Sequence, residues 1–466
     1  MTTNQSRLRA LLPLLLSASV AHATQAAPDE HRPPYAFLRQ VEDWSMFVPA
    51  DPAADTFDAL KHIDLSGDGD IWLSIGGRVE SRFELWRNFG FAAPNDDSFV
   101  VSRALVHADL HAGEHLRLYV EGKSAQATDR DLPGGRRTLD MDTLAVQQAF
   151  IDVILPIGDS SLTLRPGRQM LLFGAQRLVS PLPWGNTLRT WEGLTGEWRG
   201  AGWSITGLAT EFVPVDKTGS NEADDDVTLY GLYAKRAPGD GAHGLELYAL
   251  GNERPGVTIN GTSGDEQRRT YGARASGPMS GRTDYEVEGA WQDGNVGGAD
   301  VEAWFLAAQA GWKPEGLRGA PRFWLGLDLA SGDDDPGGDV GTFHQLFPLG
   351  HAYFGYLDAI GRQNIMDLSA GSKWGVTPTT SLVLALHSFR VLETSDALYD
   401  AGGVPYRTGF DSRDVGTELD LMLNRRIGRH VETYAGYSRF LAGDALEETG
   451  PAEDVDFVYF GVKYTF

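Results

Sequence analysis

The sequence predicts an all-β fold, a transmembrane antiparallel β-barrel of eighteen strands, on three observations. Apolar and polar residues alternate over runs of ten or more residues, whereas strands of water-soluble sheets centre on about five or six. The chain ends on "DVDFVYFGVKYTF", where Val458, Phe460, Val462, Tyr464 and Phe466 share one face. A terminal aromatic strand with no covering tail is an open edge unless it pairs with the first strand of a closed sheet. No stretch offers about 18 consecutive apolar residues, so helices do not supply a membrane crossing.

Composition agrees with this. The 466 residues include 12 Trp, 15 Tyr, 21 Phe and 56 Gly, the usage of a chain rich in strands and turns. Hydrophobic residues make up only 42%, as expected when half of each strand faces a wet lumen. The absence of cysteine excludes disulfides and thiolate metal sites. The formal net charge is -24, and no nucleic-acid partner is expected.

At the start, Arg7 and Arg9 precede an apolar run from Leu11 to Val20 and the cleavage-like Ala21-His22-Ala23. Residues 1–23 therefore read as a secretory signal, too short for a membrane helix. Residues 24–70 read as an N-terminal periplasmic or plug-like segment. Within it, "RPPYAFLRQVEDWSMF" is compatible with a short helix, and "DTFDALKHIDLSGDGD" with a second helix and a turn. Residues 71–466 form the barrel. An exported chain of long strands without membrane helices belongs in the cell outer membrane, surrounded by lipid and lipopolysaccharide; a soluble β-rich secreted protein is the competing reading.

The predicted strands are 72–86, 98–111, 115–127, 143–155, 160–170, 188–199, 202–213, 226–236, 243–252, 267–277, 283–293, 299–312, 320–331, 363–375, 380–392, 413–425, 429–441 and 455–466. In the first, Leu73, Ile75, Gly77 and Val79 oppose Ser74, Gly76, Arg78 and Glu80, after which the pattern shifts. In the second, Val100, Ala104 and Val106 oppose Arg103, His107 and Asp109; in the third, Leu116, Leu118 and Val120 oppose Arg117, Glu121 and Lys123. "TDYEVEGAWQD", "PRFWLGLDLAS" and "VGTELDLMLN" repeat the arrangement. Trp72, Trp86, Trp203, Trp291, Trp312, Tyr464 and Phe466 fit interfacial girdles. Short connections such as "HAGE" and "RGAG" contrast with long ones at 127–142, 171–187, 213–226, 252–266, 331–362 and 392–413. The longest, 331–362, is placed to fold inward or to cover the mouth.

The polar faces carry Arg78, Arg103, Arg117, Lys123, Arg165, Arg268, Arg274 and Arg322. Glu80, Asp109, Glu121, Asp284, Glu286, Glu288, Asp328, Glu418 and Asp420 share them. Guanidinium forks match carboxylates, and interspersed acids keep an anion from binding too tightly to leave. The same residues also suit an internal network that merely holds a wide lumen, and both readings stand. No catalytic residue, cofactor or metal site is assigned: nucleophile elbow, HExxH and phosphate-loop patterns are missing, and "LSGDGDIW" lacks the terminal glutamate of a calcium loop.

"LTLRPGRQMLLFGAQRLVSPLPWGNTLRTWEG" (162–193) and "TELDLMLNRRIGRHVETYAGYSRF" (417–440) resemble the bacterial alginate export family. The resemblance implies an eighteen-stranded outer-membrane barrel that passes a uronate polymer through an electropositive constriction with occluding loops. Through "RPGRQ" it implies lumen-lining roles for Arg165 and Arg168, and through "TELDL" it places Glu418 and Asp420 on the lumen face. Two features depart from that family: the segment 24–70, and a lumen of mixed charge. The expected function is an outer-membrane channel for passive export or diffusion of an anionic polysaccharide such as alginate, with periplasmic export machinery as a partner. The alternatives are a porin for small acidic or sugar-like solutes, and a barrel-borne carbohydrate-acting enzyme or binding protein.

Overall fold

The structure, a computed structural model, describes residues 32–47, 55–236 and 243–466. The signal reading at 1–23 lies outside the described residues, as do 24–31 and 48–54 of the N-terminal segment.

Eighteen long strands form one sheet that closes on itself. They are β1 (Ile71–Arg87), β2 (Asp97–Ala112), β3 (Leu116–Ala127), β4 (Asp142–Ile157), β5 (Ser160–Gln169) and β6 (Thr190–Gly200). There follow β7 (Trp203–Val213), β8 (Asp224–Arg236), β9 (Gly244–Ile259), β10 (Thr262–Ser280), β11 (Thr283–Val296) and β12 (Ala299–Trp312). The last six are β13 (Arg322–Ala330), β14 (Ile365–Thr377), β15 (Thr380–Arg390), β16 (Asp414–Ile427), β17 (Val431–Ala442) and β18 (Val455–Thr465). Each is antiparallel to its neighbours, and β18 closes on β1 with Tyr464 opposite Val79. The bare aromatic terminus is thus a paired strand. Closure satisfies every ladder within the protein, the requirement that lipid imposes.

Alternation sets the two faces. Along β16, Leu419, Leu421 and Leu423 are 47%, 38% and 42% exposed, while Glu418 and Asp420 on the other parity are buried. So continuous an outward band of Leu, Val and Phe is a hydrocarbon-facing surface. In β1 the predicted shift is absent. The even residues Arg78, Glu80, Arg82, Glu84 and Trp86 all stay inward and buried. Polar Ser81 on the outer face hid the period, and its hydroxyl is satisfied by Ser102 at 2.8 Å. Unbroken parity also turns two girdle candidates inward. Trp72 stacks between His62 and His111, and Trp86 on Phe457. Trp291, Trp312 and Tyr464 do face outward, joined by Trp304 opposite Trp291.

The predicted loop 252–266 is mostly strand. β9 and β10 run on into it as far as a turn at Asn260–Gly261, and a register shift between Arg254 and Val257 accommodates Pro255. Its polar composition reflects a hairpin that stands above the apolar band.

Residues 32–47 and 55–64 hold single 3-10 turns at Arg39–Val41 and Asp58–Leu60 in place of the predicted helices. Extended chain lets successive side chains reach different walls: Arg39 bonds Gly77 O, and Gln40 bonds Gln148. A two-residue strand, Ile63–Asp64, pairs with Trp72–Leu73.

Candidate functional site

Two long connections fold into the lumen, 170–189 between β5 and β6 and 331–364 between β13 and β14. They meet in a parallel bridge, with Phe347 N–H donating to Leu178 O (2.8 Å) and Ser180 N–H to Phe347 O (2.9 Å). Six of their non-glycine residues, Gln176, Leu182, Leu188, Leu346, Asp358 and Asn364, sit at positive φ. That conformation costs about 1 kcal/mol or more per residue and persists only where surroundings over-determine it.

Those surroundings are the polar inner faces. Arg362, fully buried, bonds Asp328 (2.9 and 3.1 Å) and Arg177 O (2.9 Å). Arg177 in turn reaches Glu288 and Glu286. Gln292 brackets the backbone of His344, and Glu418 accepts Leu357 N–H at 2.9 Å.

The arginines singled out on the strands are held in the same way. Arg117 and Arg165 form bidentate pairs with Asp109 and Asp152 (2.6–2.7 Å). Arg103 bonds Glu80 and the loop carbonyl of Gly185. Arg268 bonds Glu266, Gln292 and Thr342 O; Arg274 bonds Glu246 and Glu286; Arg322 bonds Asp284 and Gln309. Arg78 bonds the carbonyl of Ala36 in the N-terminal segment. Asp420 accepts the Ser438 hydroxyl (2.5 Å) and, at 3.4 Å, Tyr356 N–H.

Arg168 differs from the lumen-lining role that the resemblance implies. It lies three residues from inward-facing Arg165, so the period of two sends it to the outer parity, where it pairs with Glu192 at 2.8 Å under the carbonyl of Asn221.

The loops divide the interior. On the long-loop side is a vestibule of about 440 Å³, lined among others by Arg82, Arg137, Trp184, Arg189 and Tyr406. A smaller chamber of about 100 Å³ is lined by Asp328, Asp367, Asp420, His387, His351 and Arg177. Tyr356 lines both, so the stretch 350–356 is a septum between them. Trp184 braces it, stacked on His351 at 3.9 Å, while His351 Nδ1 is 2.9 Å from Asp358. Burial, and then the Asp420 carboxylate, push the Tyr356 phenol up, so it stays protonated.

Within the vestibule the three arginines are not equivalent. Arg82 pairs with Glu84 and lies 3.7 Å over the Trp184 ring; Arg137 pairs with Asp140. Arg189 donates to Pro348 O at 2.7 Å and, among the described residues, has no carboxylate within ion-pair distance. Burial pulls its guanidinium down to about 10 against the upward pull of Asp358, which leaves it charged at neutral pH. None of these residues is among the candidates read from the sequence, although Arg82 and Arg189 fall inside the predicted strands 72–86 and 188–199. The available signal was Trp184 and Arg189 in the loop "SPLPWGNTLR", a polar connection with an aromatic and a cation and no strand period.

A closed eighteen-stranded barrel with an apolar belt and a charged, loop-divided interior is an outer-membrane, porin-like channel. The family model for alginate export matches residues 71–460, and the chain belongs to that family. No curated protein matches it. Among solved structures, it is similar to Acinetobacter baumannii OccAB2, with a TM-score of 0.56 at 12% identity over 84% of this chain and 98% of that one. Pseudomonas aeruginosa OccK2 (OpdF), in complex with glucuronate, aligns with a TM-score of 0.55 at 11% identity over 84% and 98%. Pseudomonas aeruginosa OccK11 (OpdR) does so with 0.53 at 14% over 84% and 96%. At these identities the likeness is one of fold.

Proposed function

We propose that the channel passes small solutes bearing a carboxylate and a ring, such as sugar acids, by diffusion, in preference to a polysaccharide chain. The observation that carries this is the septum at 350–356, which stands between vestibule and chamber where a polymer needs one uninterrupted passage. A cavity of about 440 Å³ falls in the range of small-molecule sites, about 300–1,000 Å³. Arg189 offers a guanidinium not already neutralised by a carboxylate, and Tyr406 offers a ring, while Trp184, held between His351 and Arg82, keeps the wall rigid. Most other lumenal arginines already hold acids or loop carbonyls, so they shape the pore. The structure solved with glucuronate shares this fold. Family membership favours the second reading, a polymer path, which requires the septum to withdraw.

Single-channel recording tests the choice. Glucuronate added on the long-loop side is expected to interrupt the current with a frequency that rises with concentration. Arg189→Ala should weaken that interaction about tenfold, the loss of one charge-assisted contact, and leave neutral-sugar effects unchanged. A cation-selective pore indifferent to millimolar glucuronate would rule the proposal out.

A further inference from the structure

The N-terminal segment enters the barrel at the end where the short turns lie, the periplasmic end of such barrels. Arg429, in the turn after β16, donates to Pro33 O (3.1 Å), and His430 beside it is 2.8 Å from Asp55. From there residues 35–42 run up the inner wall of β1 to β4. Phe37 and Leu38 pack with Leu105 and with Met170 and Leu188 of the in-folded loop. Arg39 donates to Gly77 O and Phe466 O, both at 3.0 Å, and Lys61 to Ile75 O at 2.9 Å.

The bonds from the wall to this segment have an unusual character. Arg78 donates to Ala36 O at 2.8 Å and lies over the Phe37 ring, and among the described residues it has no carboxylate partner. Arg117 donates to Gln40 O at 2.8 Å in addition to its pair with Asp109. Neutral carbonyls therefore stand where carboxylate oxygens would make bonds roughly twice as strong. The segment also takes Arg39, Glu42 and Lys61 into the barrel, each less than 10% exposed, and buried charge weakens docking.

We propose that residues 32–47 and 55–64 are an internal stopper, docked on the Arg78–Arg117 wall in place of a carboxylate ligand and displaced when such a ligand competes for that wall. Displacement uncovers a second anion-binding stretch at the periplasmic end, on the opposite side of the septum from the vestibule. Gln148 connects the stopper to the in-folded loop 170–189: its Oε1 accepts both Gln40 Nε2 (3.2 Å) and Met170 N–H (3.0 Å). The proposal depends on the chain being a channel, and not on which solute the vestibule takes.

The test uses the full chain in planar bilayers. Arg39→Ala/Gln40→Ala, which removes the anchors to Gly77, Phe466 and Gln148, is expected to raise mean conductance about twofold or more. The chain has no cysteine, so Gln40→Cys/Gln148→Cys can be bridged by a short, reducible thiol crosslinker. The bridged pore should stay in its lowest-conductance state, and reductant should restore the higher one. In the unbridged single variant Gln40→Cys, glucuronate on the short-turn side should speed thiol labelling at position 40. Equal conductance of bridged and reduced protein would overturn the proposal and make the segment a fixed lining. Labelling unaffected by glucuronate would overturn the competition. If Arg39→Ala/Gln40→Ala loses the heat-shifted mobility of a folded barrel on gels, the crosslinking comparison decides alone.

Discussion

At the scale of single residues, the lumen is a set of charge pairs in which Arg362 is the keystone. It is fully buried, forked onto Asp328, and holds the carbonyl of Arg177 from the other in-folded loop. Arg362→Met leaves the Asp328 carboxylate buried without its cation, a loss of about 3–5 kcal/mol. The expected outcome is a lower urea midpoint for the folded barrel and a noisier open current. Adding Asp328→Leu should recover part of the stability, because the isolated charge rather than the missing bond is the larger penalty. Sequence reasoning placed such residues well where parity was clean, as for Arg117 and Arg165, and less well where another signal took precedence. Arg168 followed a motif across three positions of a strand whose period is two, and Trp86 was assigned by its place near a strand end. Arg189 falls inside the predicted strand 188–199, but the strand begins only at Thr190; its role depends on a loop fold that brings Pro348 beside it.

At the scale of elements, strands were legible because lipid outside and charge inside write the period of two directly into the sequence. The inward course of the loop 331–362 was among the expectations, but the loops' conformation was not legible, because it follows from partners distant in the chain. Gly355 shows why. Its φ of 82° is unfavourable for other residues, and a Cβ there would lie 2.3 Å from the Glu418 carboxyl carbon. Gly355→Ala should therefore push the septum off Glu418 and Asp420, seen as longer and more frequent high-conductance openings with the strand content by circular dichroism unchanged. The N-terminal segment carries a pH signature. Burial, and next the repulsion of Arg39, bring Lys61 down to about 8 when docked, with Arg429 adding and Glu42 and Asp55 opposing. A displaced lysine titrates at about 10.4. The penalty for docking is thus fully present below pH 8 and fades as pH rises toward the free value. Mean conductance should fall between pH 8 and 10, and Lys61→Met should flatten that profile.

At the scale of the whole molecule, closure and division do separate work. Pairing of β18 with β1 removes the sheet edge, so the barrel should resist unfolding by detergent and migrate on unheated gels faster than the boiled chain. The loops then convert a wide cylinder into a vestibule, a septum and a chamber, the division on which the proposed preference for small solutes rests. The most direct test is transport by the full chain in liposomes, with glucuronate and a uronate oligomer of about ten rings offered on the long-loop side at equal carboxylate concentration. The structure predicts uptake of the monomer, reduced in Arg189→Ala, and exclusion of the oligomer from the interior. Accumulation of the oligomer inside, at a rate comparable with the monomer, would contradict a septum that divides the pore.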